Sequence, residues 1–351
     1  MKSEVLIIGA GLTGLLIAYK LKKAGISIKV IESRNRIGGR IHTIRSAKET
    51  PIEMGATWLS LHHQELIKLL KELNLPVFEQ FMQGIALFEP LSTAPPQQIQ
   101  LPKNQQSSYR IQHGTISIIH KLAEFLDSKD LILNEKIEHI DYIDNGFKIQ
   151  SSENLYQAEK VVSTIPPALL VNSIKLHPAL PTTVVKIASK THTWMGDSIK
   201  FGVSYNKPFW KNKNYSGTVF SNVGPITELY DHSNSENTCF ALKGFLQSGM
   251  NSYTNEQRKS KVFSQLHKLF GDDALAYLSY EELVWKHESY TTLPSEEFIF
   301  PHQNNGHKIY QQGYYDNRFF IGGTETASQQ GGYMEGAVLS AQSIYQKLLS
   351  D

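Results

Sequence analysis

Apolar residues along the chain switch between two periods, and the first switch comes at once. Residues 4–33, EVLIIGAGLTGLLIAYKLKKAGISIKVIES, pass from a continuous apolar run through a glycine-rich turn into apolar positions at helical spacing, then into a second apolar run. Buried strands of a parallel sheet read as continuous runs and amphipathic helices as a 3.6-residue period, so the segment predicts a βαβ unit. Residues 62–75, HHQELIKLLKELNL, predict a plain amphipathic helix. Residues 88–109, rich in Pro, Gln and Ser, break the pattern and read as an irregular excursion or a short strand pair. Gly114 then leads into another helix. Residues 131–167 alternate like a small antiparallel sheet, residues 196–210 alternate again, and NEQRKSKVFSQLHKLFG, 255–271, is helical in period.

The turn of the first unit carries candidate chemistry. In GAGLTG, Gly9 permits a tight turn, Gly11 lets the backbone approach a pyrophosphate, and Gly14 lets helix and strand pack closely, with the helix N-terminus facing the anion. Glu32 closes the second strand 23 positions after Gly9, near the spacing of about 20 for a carboxylate that accepts from a ribose hydroxyl. A carboxylate there repels a 2′-phosphate, which disfavours NADP.

Composition narrows the class. A chain of 351 residues predicts two domains. The net charge of +2, with no basic block, makes nucleic acid an unsuited partner. Cys239 is the single cysteine, so no internal disulfide framework exists, and a reducing, cytoplasmic setting is expected. No run reaches the roughly 18 apolar residues of a membrane span. The adjacent His62 and His63 lack a third ligand at helical spacing, so no metal is expected.

Past Glu32, SRNRIGGRIHT places Arg34, Gly38, Gly39 and Arg40 beside the same phosphates: a second close backbone approach and fixed cations. GAGLTGL, Glu32, RIGGR and the closing GGTETA and GGYMEGA together resemble the flavin-dependent amine oxidase superfamily, the monoamine oxidases most of all, over most of the chain. The resemblance implies FAD, held non-covalently because the family's flavin-linking cysteine has no counterpart. It implies that Gly55, Ala56 and Thr57, in TPIEMGATWLS, lie along the flavin, that Ile137 touches the adenosine half and that Thr164 lies near the ADP. It further implies that Glu325 accepts from a ribityl or phosphate-side group, that backbone N–H groups near Gly323 and Met334 meet the cofactor, and that the helix starting at Met334 favours charge on the reduced flavin.

For chemistry the resemblance nominates Lys200, in GDSIKFGVSYNKPFW, as the lysine that faces the flavin and assists oxygen reduction, and Tyr333 as one wall of an aromatic cage that orients the amine. The second wall is open between two residues. Tyr290, in a Tyr-Thr-Thr run like the family's, stands only five positions after Trp285, and ungapped alignment puts Ser295 there instead. The implied function is oxidation of an amine by hydride transfer to flavin N5, with O2 reoxidation to hydrogen peroxide. An FAD-dependent NAD(P)H oxidase or desaturase of the same superfold, and a non-catalytic FAD-stabilised scaffold, remain as alternatives. The long helical insertion of the monoamine oxidases is reduced here, so substrate size does not carry over.

The fold class expected is α/β. A discontinuous Rossmann-type FAD domain, residues 1–75, 112–189 and 284–351, would carry a parallel sheet with helices on both faces. A substrate domain, residues 76–111 and 190–283, would be built on a mixed or antiparallel sheet plus helices.

Overall fold

The computed structural model describes residues 1–102, 107–293 and 298–350. Lys2–Ile8 pairs in parallel with Ile28–Ile31 on one side and Leu155–Ser163 on the other, and Leu131–Ile132 extends the sheet beyond Ile28–Ile31. The helix Leu12–Lys23 makes the crossover between the first two strands, completing the βαβ unit. Because these strands are covered on both faces, their residues are apolar on both: Leu6 and Ile7 are both fully buried, in different core clusters. Leu12–Lys23, Gln64–Glu72, Ile116–Ala123 and Met334–Leu349 cover one face, Pro167–Ser173 and Thr182–Ser189 the other.

The alternating segment 131–167 does not form a sheet of its own, and the sheet expected to be parallel is mixed. Ile137–Ile143 and Gly146–Ser151 form a hairpin through Asp144 and Asn145, both at positive φ, a two-residue turn suited to antiparallel strands. Leu155–Ser163 then pairs with Gly146–Ser151 along its first half and with Phe319–Ile321 along its second, while its other edge lies on Lys2–Ile8. The C-terminal segment is thereby seated beside the glycine-rich turn.

A second, seven-stranded sheet runs in the order Tyr277–Val284, Ile199–Tyr205, Phe240–Leu246, Ile226–Asp231, Tyr215–Ser221, Ile85–Glu89, Gln97–Gln100. The Pro- and Gln-rich excursion supplies its last strand, Gln97–Gln100, which forms a hairpin with Ile85–Glu89. The pairing is antiparallel except between Tyr215–Ser221 and Ile85–Glu89. One face packs on the helix Asn255–Phe270, which opens with a Thr254/Gln257 capping box. The period of two sorts the central strand: Ile199, Phe201, Val203 and Tyr205 enter that core, so Lys200, Gly202 and Ser204 face the other way. There Gly202 lies against Ile52, with no room for a Cβ. The segment carrying Ile52 covers the second face, and all seven residues of Ile199–Tyr205 are buried. Among the described residues no helix is long and apolar enough to cross a membrane.

Candidate active site

A cavity of about 710 Å³ runs between the two sheets. At one end stands the first βα turn. Gly9, at φ 103°, turns the chain, and the helix opens at Gly11 with no side-chain cap and no acidic residue in its first turn. The N–H groups of that first turn have no intrahelical partner, so they are free for an anion. A Cβ added to Gly11 would meet nothing within 4 Å, because it would point into the cavity; one added to Gly14 would stand 2.1 Å from the carbonyl oxygen of Gly9. The two glycines therefore make separable predictions. Gly11→Ala keeps the fold and its melting temperature while weakening flavin retention, whereas Gly14→Ala forces helix and strand apart and costs about 1–3 kcal/mol of stability. Melting temperature and the ratio of flavin to protein absorbance check both.

Glu32 is buried, and its two oxygens accept from the N–H of Ala10 and of Arg34, each at 2.9 Å. Gly38 pairs with Gly11 as a parallel bridge, and Gly39 packs on the Gly11 Cα. Ala56, Thr57, Ile137 and Thr164 also line the cavity, and the Thr164 hydroxyl donates to the carbonyl of Ile8. Gly55, Gly14 and Glu325 lie behind the lining.

Glu325 has a protein partner of its own. It is fully buried, and both its oxygens are held by the Arg40 guanidinium, Nη2 at 2.8 Å and Nη1 closer still. Glu325 is absent from the cavity lining, whereas Arg40, which it holds, lines it. Gly323 also has a protein partner: its N–H donates to Ser340 Oγ at 3.1 Å. The N–H groups of Thr324 and of Met334, which opens the helix Met334–Leu349 without a side-chain cap, have no protein partner among the described residues.

Lys200 enters the cavity from the second sheet. Its Nζ donates to the Gly55 carbonyl at 2.6 Å and lies 5.1 Å from the Phe245 ring centre. Burial pulls it down from its usual range to about 8, against the opposing pull of Glu53. Tyr333 lines the same cavity, and its ring neighbours are His302, Trp194 and His63, at 6.0, 6.0 and 6.3 Å.

Tyr290 is not among the rings around Tyr333. Its ring lies 5.6 Å from the Arg34 guanidinium, at the Glu32 end. Arg34 gathers this strap, donating to Glu288 Oε2 and to Thr291 Oγ1 as well as to the Tyr290 carbonyl. Ser295 lies outside the described residues. Sequence reasoning missed Trp194 and Lys243. Trp194 stands six positions before Lys200, close enough in sequence to have been considered. Lys243 is fully buried, with its Nζ 2.5 Å from the Thr57 hydroxyl; a lone lysine in the run FALKGFL carried no signal.

A dinucleotide turn, a returning glycine-rich C-terminal segment and a buried lysine from a second sheet thus share one cavity. The family model for flavin containing amine oxidoreductases matches residues 12–92 and 77–344. The chain belongs to that family. It is a flavin-dependent oxidoreductase, similar to amine oxidase [flavin-containing] B of Rattus norvegicus, 23% identical over 99% of this chain and 86% of that one. It is also similar to the probable flavin-containing monoamine oxidase A of Dictyostelium discoideum, 24% identical over 99% and 98%. These alignments span 456 and 457 positions against a 351-residue chain, so the relatives carry family segments that this chain lacks. Putrescine oxidase solved with putrescine superposes with a TM-score of 0.86 at 20% identity, covering all of both chains. Cyclohexylamine oxidase of Brevibacterium oxydans superposes at 0.84 and 19%, over 99% and 98%. At that identity the structural likeness carries the fold alone.

Proposed function

We propose that the chain is an amine oxidase that holds FAD non-covalently in this cavity and oxidises an amine at the carbon beside its nitrogen. The observation that carries this reading is the meeting of Lys200, buried and titrating at about 8, with the dinucleotide turn in one cavity. The residues fit the cofactor: Gly11 leaves the space a pyrophosphate needs, the uncapped helix start supplies donors, and Glu32 lines the same cavity. Bound FAD supplies the hydride acceptor and passes the electrons to O2, so imine, aldehyde after hydrolysis, and hydrogen peroxide are the expected products.

This chain's own groups position and screen. Arg40, locked by Glu325, presents a fixed positive charge to the cavity. The start of Met334–Leu349 adds the partial positive charge of a helix N-terminus, suited to the electron-rich reduced ring. Tyr333 offers a ring face that orients the amine. Lys200 Nζ can hold or release a proton near neutral pH. Non-covalent attachment is supported by Cys239, the one cysteine, which lies outside the cavity lining and whose Sγ contacts the Lys48 carbonyl. Acid precipitation of the purified protein should release FAD into the supernatant, and a peroxide assay across monoamines, polyamines and amino acids should respond to one class. A pellet that keeps its yellow colour would end the non-covalent attachment, and silence across the panel would end the amine-oxidase reading.

A further inference from the structure

The strap that carries Tyr290 is the part of the cavity wall that the mechanism above leaves without a task. Residues 289–293 all line the cavity, as do Glu32 and Arg34. Lys286, His287, Ser289 and Tyr290 are exposed, and Thr291 alone among residues 286–291 is buried. The strap therefore has little packing of its own to hold it down.

What holds it is Arg34. Its Nη2 donates to Thr291 Oγ1 at 2.7 Å and to Glu288 Oε2 at 3.2 Å, its Nε to the same Glu288 oxygen at 3.3 Å, and its Nη1 to the Tyr290 carbonyl at 3.4 Å. The Tyr290 ring stands 5.6 Å from the guanidinium. Every long-range hydrogen bond described for residues 288–293 runs to this one side chain; the others are local, such as those from the Thr291 and Thr292 N–H groups to the Glu288 carbonyl. Arg36 adds an ion pair with Glu288 at 3.9 Å. Arg34 is in turn anchored at Glu32, whose Oε1 accepts from the Arg34 N–H at 2.9 Å and lies 3.9 Å from Nη1. The strap is thus tied down at the carboxylate to which the dinucleotide pattern assigns the adenosine ribose.

We propose that Glu288, Tyr290 and Thr291, pinned by Arg34, form a clasp over the adenosine end of bound FAD, and that opening of this strap governs how fast the non-covalently held cofactor enters and leaves. The proposal rests on the FAD site read above. An enclosed ligand leaves only when a wall opens, and segments with few buried contacts are the ones that open locally. The pinning contacts join protein atoms to protein atoms, so they hold the strap with or without FAD. Weakening them raises the open fraction of both forms, and binding and release accelerate together while the equilibrium affinity moves far less. A residue that only touched the cofactor would show another pattern, faster release at an unchanged rate of binding.

The test follows flavin fluorescence in wild type, Thr291→Val and Glu288→Gln, measuring release of FAD when the loaded protein is diluted and uptake of FAD by the protein stripped of it. Thr291→Val keeps the shape of the side chain and removes the hydroxyl; Glu288→Gln keeps the size and removes the charge. Each should speed both release and binding by about tenfold, the loss expected for one hydrogen bond to a charged group, and leave the Kd nearly where it is. Wild-type rates in both variants would overturn the proposal. So would faster release with unchanged or slower binding in both, the mark of a lost contact or a damaged site, and either result leaves the FAD site standing. Absence of FAD from the purified wild-type protein would bring down the cofactor reading and this one with it.

Discussion

Lys200→Met should leave anaerobic reduction of the flavin by amine close to wild type and slow its reoxidation by O2 on the order of 10²–10³-fold, the cost typical of removing one preorganised donor from a developing anion. Oxygen reduction builds negative charge on a small molecule in this cavity. Lys200 is the buried amine in that lining, and its hydrogen bond to the Gly55 carbonyl fixes where its charge sits. The cation is present below about 8 and lost above it. Wild-type reoxidation should therefore slow as pH rises through about 8, and Lys200→Met should show no such step. Stability has the opposite sign. Because the folded value lies below the ordinary 10.5, burying the charged amine costs roughly 3 kcal/mol at neutral pH, a cost relieved as pH climbs from about 8 towards 10.5. The methionine variant should accordingly melt higher at pH 7 than wild type, which separates loss of chemistry from loss of fold.

Arg40→Leu should have the largest effect on stability, a loss of about 3–5 kcal/mol together with loss of bound flavin. It removes the sole ion-pair partner described for Glu325, a carboxylate with no exposed surface, and leaves an unpaired charge in the core. The double variant Arg40→Leu, Glu325→Leu removes both charges and should recover much of the melting temperature. It should not recover flavin retention, because Arg40 itself lines the cavity. Denaturant titration with flavin absorbance resolves the two effects. A single variant as stable as wild type would mean that Glu325 finds another partner.

What could be read from sequence follows the range of each interaction. The βαβ unit was legible because its determinants are local: Gly9, Gly11, Gly14 and Glu32 lie within one supersecondary unit, and the apolar runs set its period. Lys200 was legible through the residues flanking it. The pairing of Glu325 with Arg40 was not legible, because the two stand 285 positions apart and nothing local announces the pair. The Tyr-Thr-Thr run at Tyr290 looked like a cage wall, yet Arg34 gathers Glu288, Tyr290 and Thr291 towards the Glu32 end. Lys243 is the plainest case. One lysine in the otherwise apolar run FALKGFL reads as an exposed position, and only the covering of that face by the segment through Ile52 and Thr57 buries it. The mixed sheet has the same origin: alternation shows that strands 137–163 are antiparallel to one another, but not that the last of them also joins Lys2–Ile8.

The central claim, a flavin enzyme that takes its electrons from amines, is tested most directly by anaerobic stopped-flow of the purified yellow protein against monoamines, polyamines, amino acids and NAD(P)H, following flavin absorbance. Bleaching by one amine class, with colour and hydrogen peroxide returning when air is admitted, is the predicted result. Bleaching by NADH or NADPH alone, with every amine inert, would contradict it and with it the roles given to Lys200 and Tyr333.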